Sequence, residues 1–318
     1  MKYVVVTAAR DEAGYIEHTI KSLTSQTVKP LRWVIVDDGS SDGTAELAEA
    51  AAAQNDWITV IRRADRGSRQ VGVGNYDALQ EGFRTVANID YDFISIVDAD
   101  VDFMPTYFEE LGVKYAENPK LGIGCGAVID ILNGNFYKAD ILPEMTGGPL
   151  KCYRRECWEE IGGLVRAASW DAIDCFKAMQ LGWVSQTFQE KSLNISHLRP
   201  TGSTQGSIIT GKKRRGAGMY FMGAHPVWVI ASALRRFLEP PVAMGCWYVL
   251  VGYFQEMFRG GEQLKDQDLI SYIRRWQMKK LGRAMLTFGT SLRNDSALIF
   301  LINITFLINS CGISYDKY

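Results

Sequence analysis

Two short acidic segments of this 318-residue chain carry the residue types best suited to chemistry. Asp98-Ala99-Asp100 follows an apolar run at residues 93–97, and Asp37-Asp38-Gly39-Ser40 follows a similar run at residues 33–36. Paired carboxylate oxygens are ligands that Mg²⁺ and Mn²⁺ prefer. Acidic residues also end strands as ordinary turn formers, so the pattern alone leaves a metal site and a polar turn both open.

A third carboxylate favours the metal interpretation of the later segment. Asp102 lies two residues beyond Asp100, and three neighbouring carboxylates repel one another unless a cation neutralises them. A carboxylate of the earlier segment can accept a hydrogen bond from a base N–H or a ribose hydroxyl, as an acid does in dinucleotide folds. A glycine turn with a helix cap is the alternative there. Because neither GxGxxG at this turn nor GxxxxGK[ST] occurs, hydride transfer and ATP hydrolysis lose motif support.

The elements that must position these acids follow a βαβ pattern. Strands are expected at residues 3–8, 33–36, 57–61 and 93–97, with helices around residues 16–23 and 74–86. Such alternation is typical of a parallel sheet, and open parallel sheets bind ligands beyond the carboxyl ends of their strands. Both acidic segments should therefore face one cleft.

The order of several motifs resembles family-2 glycosyltransferases of the GT-A fold over roughly residues 3–198. The matching segments are residues 5–12 (VVTAARDE), 34–44 (VIVDDGSSDGT), 72–82, 97–101 (VDADV) and 147–163. One departure is Arg10-Asp11, where the family more often has Tyr-Asn. The resemblance implies an α/β fold with a mostly parallel sheet flanked by helices, followed by a helical C-terminal extension.

This resemblance also implies a domain division and a set of site residues. Residues 1–198 form the catalytic domain, with a nucleotide-binding half (1–120) and an acceptor-side half (121–198), and residues 199–318 form a helical, basic and aromatic region. The implied donor contacts are Ala8, Arg10, Glu12, Asp37, Asp38, Arg69, Asn75, Asp98 and Ala99. The implied acceptor-side residues are Gly147, Gly148, Arg154 and Trp170. The implied metal ligands are Asp98, Asp100 and His197, with a purely structural role for His197 left open.

The expected catalytic base is Asp171. In the family a Glu-Asp pair stands 11 residues before a glycine-aromatic pair. In this chain Trp170-Asp171 stands at that spacing from Gly182-Trp183. Trp170 replaces the usual Glu, and Asp174 follows where an apolar residue is usual. Asp174 is therefore the alternative base.

The activity that the resemblance implies is an inverting, metal-dependent hexosyl transfer with Mg²⁺ or Mn²⁺ as cofactor. The donor is a nucleoside-diphosphate sugar, with a UDP-sugar expected, and the hydroxyl acceptor is a saccharide or lipid-linked, in cell-surface polysaccharide or glycolipid assembly. The family's processive motif QxxRW is absent, which favours transfer of one sugar. A sugar-phosphate nucleotidyltransferase and a catalytically silent nucleotide-sugar-binding module are the alternatives.

Charge is distributed unevenly along the chain. Residues 1–198 carry 19 Lys/Arg against 29 Asp/Glu, whereas residues 199–283 carry 14 against 5. The basic, aromatic part suits an anionic membrane surface, and no nucleic-acid partner is expected. A merely solvated basic face is the alternative. Arg199 and the run 212–215 are basic residues that can also cover a leaving diphosphate.

The expected location is the cytoplasm, peripheral on the inner face of the plasma membrane. None of the six cysteines forms a CxxC pair, and no signal peptide is recognisable, which indicates a reducing compartment. The apolar segment 297–313 is short and interrupted by polar residues. A buried or interfacial helix is expected there rather than a bilayer span.

Overall fold

The structure is a computed structural model that describes residues 1–65, 67, 73–132, 134–167, 169–199, 208–235, 237 and 244–292. The chain forms two compact units, Met1–Thr201 and Gly202–Tyr318. Arg69 and the segment 297–313, both singled out by the sequence, lie outside the described residues.

The first unit alternates strands and helices as the βαβ pattern predicts. Its strands are β1 (Tyr3–Ala9), β2 (Arg32–Asp37), β3 (Ile58–Arg62), β4 (Phe93–Val97), β5 (Val101–Phe103), β6 (Leu121–Gly126), β7 (Val128–Leu132), β8 (Asn135–Lys138), β9 (Leu150–Arg154), β10 (Val184–Phe188) and β11 (Ile195–His197). Its helices are α1 (Ile16–Thr24), α2 (Thr44–Gln54), α3 (Val73–Val86), α4 (Tyr107–Glu117), α5 (Arg155–Glu160) and α6 (Trp170–Gln180).

A seven-stranded sheet in the order β10-β6-β9-β4-β1-β2-β3 forms the centre of this unit. Every neighbouring pair is parallel except the two that involve β9. Alternate residues of β1 enter two different apolar clusters, with Tyr3 and Val5 in one and Val4 and Val6 in the other. A β-branched strand buried on both faces is typical of a parallel sheet covered by helices. The predicted α/β architecture is confirmed.

A second, four-stranded sheet in the order β5-β11-β7-β8 extends the acidic edge. Before β11, Lys191–Leu193 form a 3₁₀ turn, and the strand begins at Ile195. This turn packs on bare backbone: a Cβ at Gly126 would lie 1.5 Å from the carbonyl oxygen of Leu193. His197 is the last residue of β11.

The second unit is helical, as expected for the C-terminal region. Its described helices are α7 (Ile208–Phe221), α8 (Pro226–Arg235), α9 (Met244–Arg259) and α10 (Gln267–Leu292). Rings contribute to its packing, since Trp228 meets Trp276 edge to face at 5.6 Å between centroids. No helix among the described residues combines the length and apolar content that crossing a bilayer requires.

Candidate active site

The later acidic segment forms the turn between β4 and β5. Thr19 of α1 supports this turn, because its hydroxyl accepts from the Val101 amide (3.1 Å) and donates to the Val101 carbonyl (3.0 Å). Ala99 is buried between the two acids, Asp100 is buried and Asp98 keeps part of its surface accessible. The turn therefore presents two carboxylates at the carboxyl end of a core strand, where the sequence predicted them.

The small sheet brings His197 to these acids. In the strand register His197 lies opposite Val101 on one side and opposite Asp130 on the other. Its Nε2 lies 3.3 Å from Asp100 Oδ2, and its Nδ1 lies 2.9 Å from Asp130 Oδ1. One ligand atom from each of Asp98, Asp100 and His197 falls within 4.8 Å of the other two. His197 is far from the two acids in the sequence, but the pairing of β11 with β5 and β7 brings it next to them.

Asp130 is a functional candidate that the sequence analysis missed. A carboxylate on the far nitrogen of a metal-binding histidine fixes the ring orientation and makes the near nitrogen a better ligand. Asp130 occupies that position toward His197. Only the pairing of β7 with β11 brings Asp130 to His197, and that pairing cannot be predicted from the local sequence around residue 130.

Glu12 and Arg199 complete the cluster. Arg199 Nε lies 2.5 Å from Asp100 Oδ2, and another guanidinium nitrogen of Arg199 pairs with Glu12. Glu12 is buried, and its backbone amide donates to the Thr44 hydroxyl at 2.7 Å. Glu12 thus reaches the metal side of the site, whereas the resemblance implied only a donor contact for it.

Burial and mutual repulsion shift the pKa values of this cluster. Loss of hydration, together with the charge on Asp100, raises the pKa of Asp98 to about 8. Burial alone would lower the pKa of His197, but its hydrogen bonds to Asp100 and Asp130 raise it to about 10. Burial alone would raise the pKa of Asp100, yet His197 and Arg199 hold it below the usual value. The carboxylates therefore compete for the available positive charge.

The donor set fits a hard divalent cation. Two carboxylates and one imidazole nitrogen converge at Asp98, Asp100 and His197, and Mn²⁺ or Mg²⁺ accepts such oxygen-rich ligands. Asp102 does not join them, which corrects the expectation of a third neighbouring acid. Alternation along β5 leaves Asp102 exposed, and the Ser22 hydroxyl donates to its carboxylate at 2.6 Å.

The earlier acidic segment lies two strands away at the same edge, where Ala9 of β1 pairs with Asp37 of β2. Asp37 accepts from the Ser40 amide at 3.2 Å, as an acid at a turn does. Asp38 pairs with Arg63 at 2.5 Å. The turn requires glycine at position 39, where φ is +77° and a Cβ would lie 2.5 Å from the Asp65 Cα.

Other donor-side residues surround this turn. Arg10 donates to the Asp38 carbonyl and to the Asp65 carboxylate, both at 2.8 Å. Ala8 is half-buried in β1, and Asn75 is half-buried in the first turn of α3. Arg10 and Arg63, the second of which the sequence analysis did not select, therefore place two guanidinium groups beside the Asp37-Asp38 turn.

Helix α6 carries both candidate bases in different environments. Asp174 is buried, with the Lys151 ammonium 2.8 Å and the Tyr153 hydroxyl 2.5 Å from its carboxylate. Asp171 is half-buried, and its Oδ2 would lie 3.4 Å from a Cβ at Gly148. Lys151 also donates to the backbone carbonyl of Asp171, so one buried ammonium holds the first turn of the helix. The geometry thus turns Asp174 toward the core and Asp171 toward the glycine pair.

Three of the remaining acceptor-side residues, Gly147, Gly148 and Trp170, lie close to the site, and Arg154 lies away from it. Gly147 and Gly148 precede β9. The first residue of β9, Leu150, lies opposite Val97, at the end of β4 that leads into Asp98. Trp170 is buried, with the Lys151 ammonium 5.7 Å from its ring centroid.

Arg154 lies opposite Phe93, at the end of the antiparallel β4–β9 pair that is far from Asp98. Its guanidinium donates to the carbonyls of Leu121 (3.1 Å) and Tyr115 (3.0 Å). Arg154 therefore braces backbone at that end of the sheet.

Curated relatives share part of this sequence. Poly-beta-1,6-N-acetyl-D-glucosamine synthase of Staphylococcus aureus (strain MSSA476) is 31% identical over 121 residues, which are 37% of this chain and 26% of the relative. The putative glycosyltransferase EpsH of Bacillus subtilis (strain 168) is 25% identical over 170 residues, 53% of this chain and 45% of the relative. The chain thus spans about a quarter to under a half of the length of these relatives.

Solved structures share the fold at low identity. The mannosyltransferase PcManGT from Pyrobaculum calidifontis, in complex with GDP-Man and Mn²⁺, has a TM-score of 0.52 at 15% identity and covers 98% of this chain and 86% of that one. GalNAc-T7 with UDP, GalNAc and Mn²⁺ has a TM-score of 0.55 at 13% identity, covering 90% of this chain and 57% of that one. The expected GT-A fold is confirmed by these likenesses.

A family model covers most of the residues that form the site, and His197 and Arg199 lie beyond its end. The model described as glycosyl transferase family 2 matches residues 4–177, which include both acidic turns and both candidate bases. The chain belongs to glycosyl transferase family 2.

Proposed function

We propose that this protein is an inverting, metal-dependent glycosyltransferase that moves a sugar from a nucleoside-diphosphate sugar to a hydroxyl acceptor. The single observation that carries the proposal is the convergence of Asp98, Asp100 and His197 within 4.8 Å at the carboxyl edge of the parallel sheet. Family membership supports the reaction class. The fold places this edge where open α/β sheets bind ligands.

Asp98, Asp100 and His197 would hold the cation. When bound, Mn²⁺ or Mg²⁺ supplies positive charge beside the departing diphosphate. Asp130 orients His197 by its contact with Nδ1. Arg199, paired with Asp100 and Glu12, keeps a second positive charge at the same edge, where it can face the leaving group.

The nucleotide is proposed to lie over the β1 and β2 ends. Asp37 and Asp38 accept hydrogen bonds from the ribose and the base, while Arg10 and Arg63 hold the turn that carries them. Asp98 supports the ribose or the metal shell, and Asn75 contributes from α3. A UDP-sugar is the proposed donor. Among the similar solved structures, GalNAc-T7 was solved with UDP and GalNAc and the mannosyltransferase with GDP-Man.

Asp171 is the proposed general base. Its carboxylate takes the proton of the acceptor hydroxyl as that oxygen attacks the anomeric carbon from the face opposite the diphosphate. One displacement inverts the anomeric configuration, and no carboxylate at covalent-intermediate distance is required. Asp174 is disfavoured, because its carboxylate already accepts from Lys151 and Tyr153 in the core.

A saccharide or lipid-linked alcohol of cell-surface polysaccharide or glycolipid assembly is the proposed acceptor. The support is the name of the Staphylococcus aureus relative, a poly-N-acetylglucosamine synthase, over the 37% of this chain that it matches. The cytoplasmic side of the plasma membrane is the proposed location of the reaction. Free, buried cysteines at the five described positions accord with a reducing compartment.

A donor screen tests the proposal. The full chain is incubated with UDP-, GDP- and dTDP-sugars, Mn²⁺ and hydroxyl acceptors, and nucleoside-diphosphate release is measured. We expect release with one donor class, most of all a UDP-sugar, and a product whose anomeric configuration by NMR is opposite to that of the donor. Retention of configuration would contradict the single-displacement mechanism.

Two additional measurements test the alternatives, a nucleotidyltransferase and a silent binding module. A nucleotidyltransferase would release pyrophosphate from a nucleoside triphosphate and a sugar 1-phosphate, and it would leave nucleoside-diphosphate sugars intact. A silent binding module would bind a nucleotide-sugar in calorimetry but release no nucleotide with any acceptor. Either result would overturn the proposed transfer.

A further inference from the structure

Helix α9 has two opposite faces, and one of them is packed. Gly245, Cys246, Val249, Gly252 and Tyr253 are its buried residues. Small residues let α7 approach closely, since a Cβ at Gly252 would lie 2.0 Å from the Lys213 carbonyl oxygen. A Cβ at Gly216 of α7 would likewise lie 2.0 Å from the Val249 carbonyl oxygen. The glycines therefore fix which side of α9 faces α7.

The opposite face of α9 is an apolar row, which we name the outer stripe. Its members are Met244, Trp247, Val251, Phe254 and Phe258. They follow one another at steps of three and four residues, which places them along one side of a helix. Trp247 is 63% and Phe258 is 81% exposed, and Phe254 and Phe258 stack at 6.3 Å. Over its 14-residue separation the stripe is about 21 Å long.

Helix α8 adds a second exposed apolar row. Val227, Ile230 and Leu234 stand three and four residues apart, and all three are exposed. Val229 and Ala233 form the buried side of the same helix. Soluble proteins seldom expose so many large apolar side chains on adjacent helices, and such patches mark binding surfaces.

The charge of the C-terminal region favours an anionic partner. The Lys213 ammonium lies 5.6 Å from the Tyr248 ring centroid, and the Lys212 side chain would lie 3.4 Å from a Cβ at Gly245. These contacts place two lysines of α7 against α9. Residues 199–283 carry 14 Lys/Arg against 5 Asp/Glu, and Arg275 and Lys279 are exposed on α10.

We propose that the outer stripe docks on the surface of a bilayer that contains anionic phospholipid. Helix α9 has 16 residues, too few to span a bilayer, so it lies in the plane of the membrane with the stripe among the headgroups and upper acyl chains. Exposed cations of the same unit, among them Arg275 and Lys279, meet the lipid phosphates. This inference rests on the second unit alone and stands independently of the proposed glycosyl transfer.

Vesicle flotation of the full chain tests the docking surface. We compare phosphatidylcholine vesicles with and without phosphatidylglycerol, using wild type and the Trp247→Ser, Phe258→Ser double variant. Phe136→Ser is the matched control, because Phe136 is 63% exposed on β8 of the other unit. Wild type and control should float with the anionic vesicles, whereas the double variant should lose about tenfold or more of its binding. Added salt should weaken the wild-type binding.

Three results would overturn the proposal. Wild type that floats on neither vesicle, or equally on both, would leave the cations without a lipid partner. A double variant that floats like wild type, with an unchanged circular-dichroism melting curve, would remove the stripe from the interface. A wild-type dimer that becomes a monomer in the double variant, without vesicle binding, would show that a second copy of the chain covers the stripe.

Discussion

Two clusters of buried charge in the catalytic unit differ in how fully they are neutralised. The edge cluster comprises Glu12, Asp98, Asp100, His197 and Arg199. The buried triad comprises Lys151, Tyr153 and Asp174. In the triad one ammonium faces one carboxylate, and a phenol hydroxyl fills a further acceptor position. In the edge cluster three carboxylates share one guanidinium and one imidazole, and the imidazole also contacts the Asp130 carboxylate.

The difference separates a structural site from a chemical one. Loss of hydration and the charge on Asp100 raise the pKa of Asp98 to about 8, and perturbed pKa values of this kind are common at functional sites. The polar groups of the triad form hydrogen bonds with one another and with the Asp171 carbonyl. It therefore positions helix α6, while the edge cluster retains capacity for a cation. Variants in the two clusters should accordingly change different observables.

The largest expected effect comes from replacing the two acids of α6. Asp171→Asn keeps the side-chain shape and removes the base, so kcat should fall by about 10²–10⁴ while donor affinity changes little. Asp174→Asn leaves Lys151 partly uncompensated and should lower the melting temperature, with far less loss of kcat per folded molecule. Steady-state kinetics and thermal unfolding of both variants measure this. Near-normal turnover in Asp171→Asn, with turnover abolished in Asp174→Asn, would exchange the roles.

The triad itself should control stability. Lys151→Met leaves the Asp174 carboxylate buried without its cation, and breaking such a pair costs about 3–5 kcal/mol. Adding Asp174→Asn removes the uncompensated charge, so the double variant should be more stable than Lys151→Met alone. Urea unfolding measures the three free energies. Strictly additive changes would mean that the two residues do not interact.

The edge cluster should respond to its orienting carboxylate. Asp130→Asn weakens the contact with His197 Nδ1, and loss of such a partner lowers metal affinity by about 10- to 100-fold. Asp102→Asn is the control, because Asp102 is exposed and bonded to Ser22. Mn²⁺ binding followed by electron paramagnetic resonance gives both affinities. Equal losses in the two variants would mean that general negative charge, rather than the His197 contact, sets the affinity.

The sequence predicted best what local patterns determine. Strand β4 was expected at residues 93–97 and is Phe93–Val97, because a short apolar run bounded by polar residues fits only one buried strand. The Asp98 and Asp100 positions follow from that strand end. The Asp38 turn is equally local, since Gly39 supplies the positive φ that it needs.

What the sequence did not predict depends on long-range pairing. Asp130 meets His197 through the β7–β11 register, and Lys151 meets Asp174 through the packing of β9 under α6. The position of Arg154 has the same origin, because the antiparallel direction of β9 places it opposite Phe93. Alternation along β5 turned Asp102 away from its neighbours. None of these contacts can be predicted from the residues that neighbour it in the sequence.

Calorimetry of donor binding tests the central claim, that the edge cluster holds a cation on which the donor depends. UDP and UDP-sugars are titrated into the full chain with Mn²⁺ and, separately, with EDTA. We expect clear binding with Mn²⁺ and a large loss of affinity with EDTA, since Asp98, Asp100 and His197 would then face the diphosphate without the cation. Equal affinity under the two conditions would contradict it.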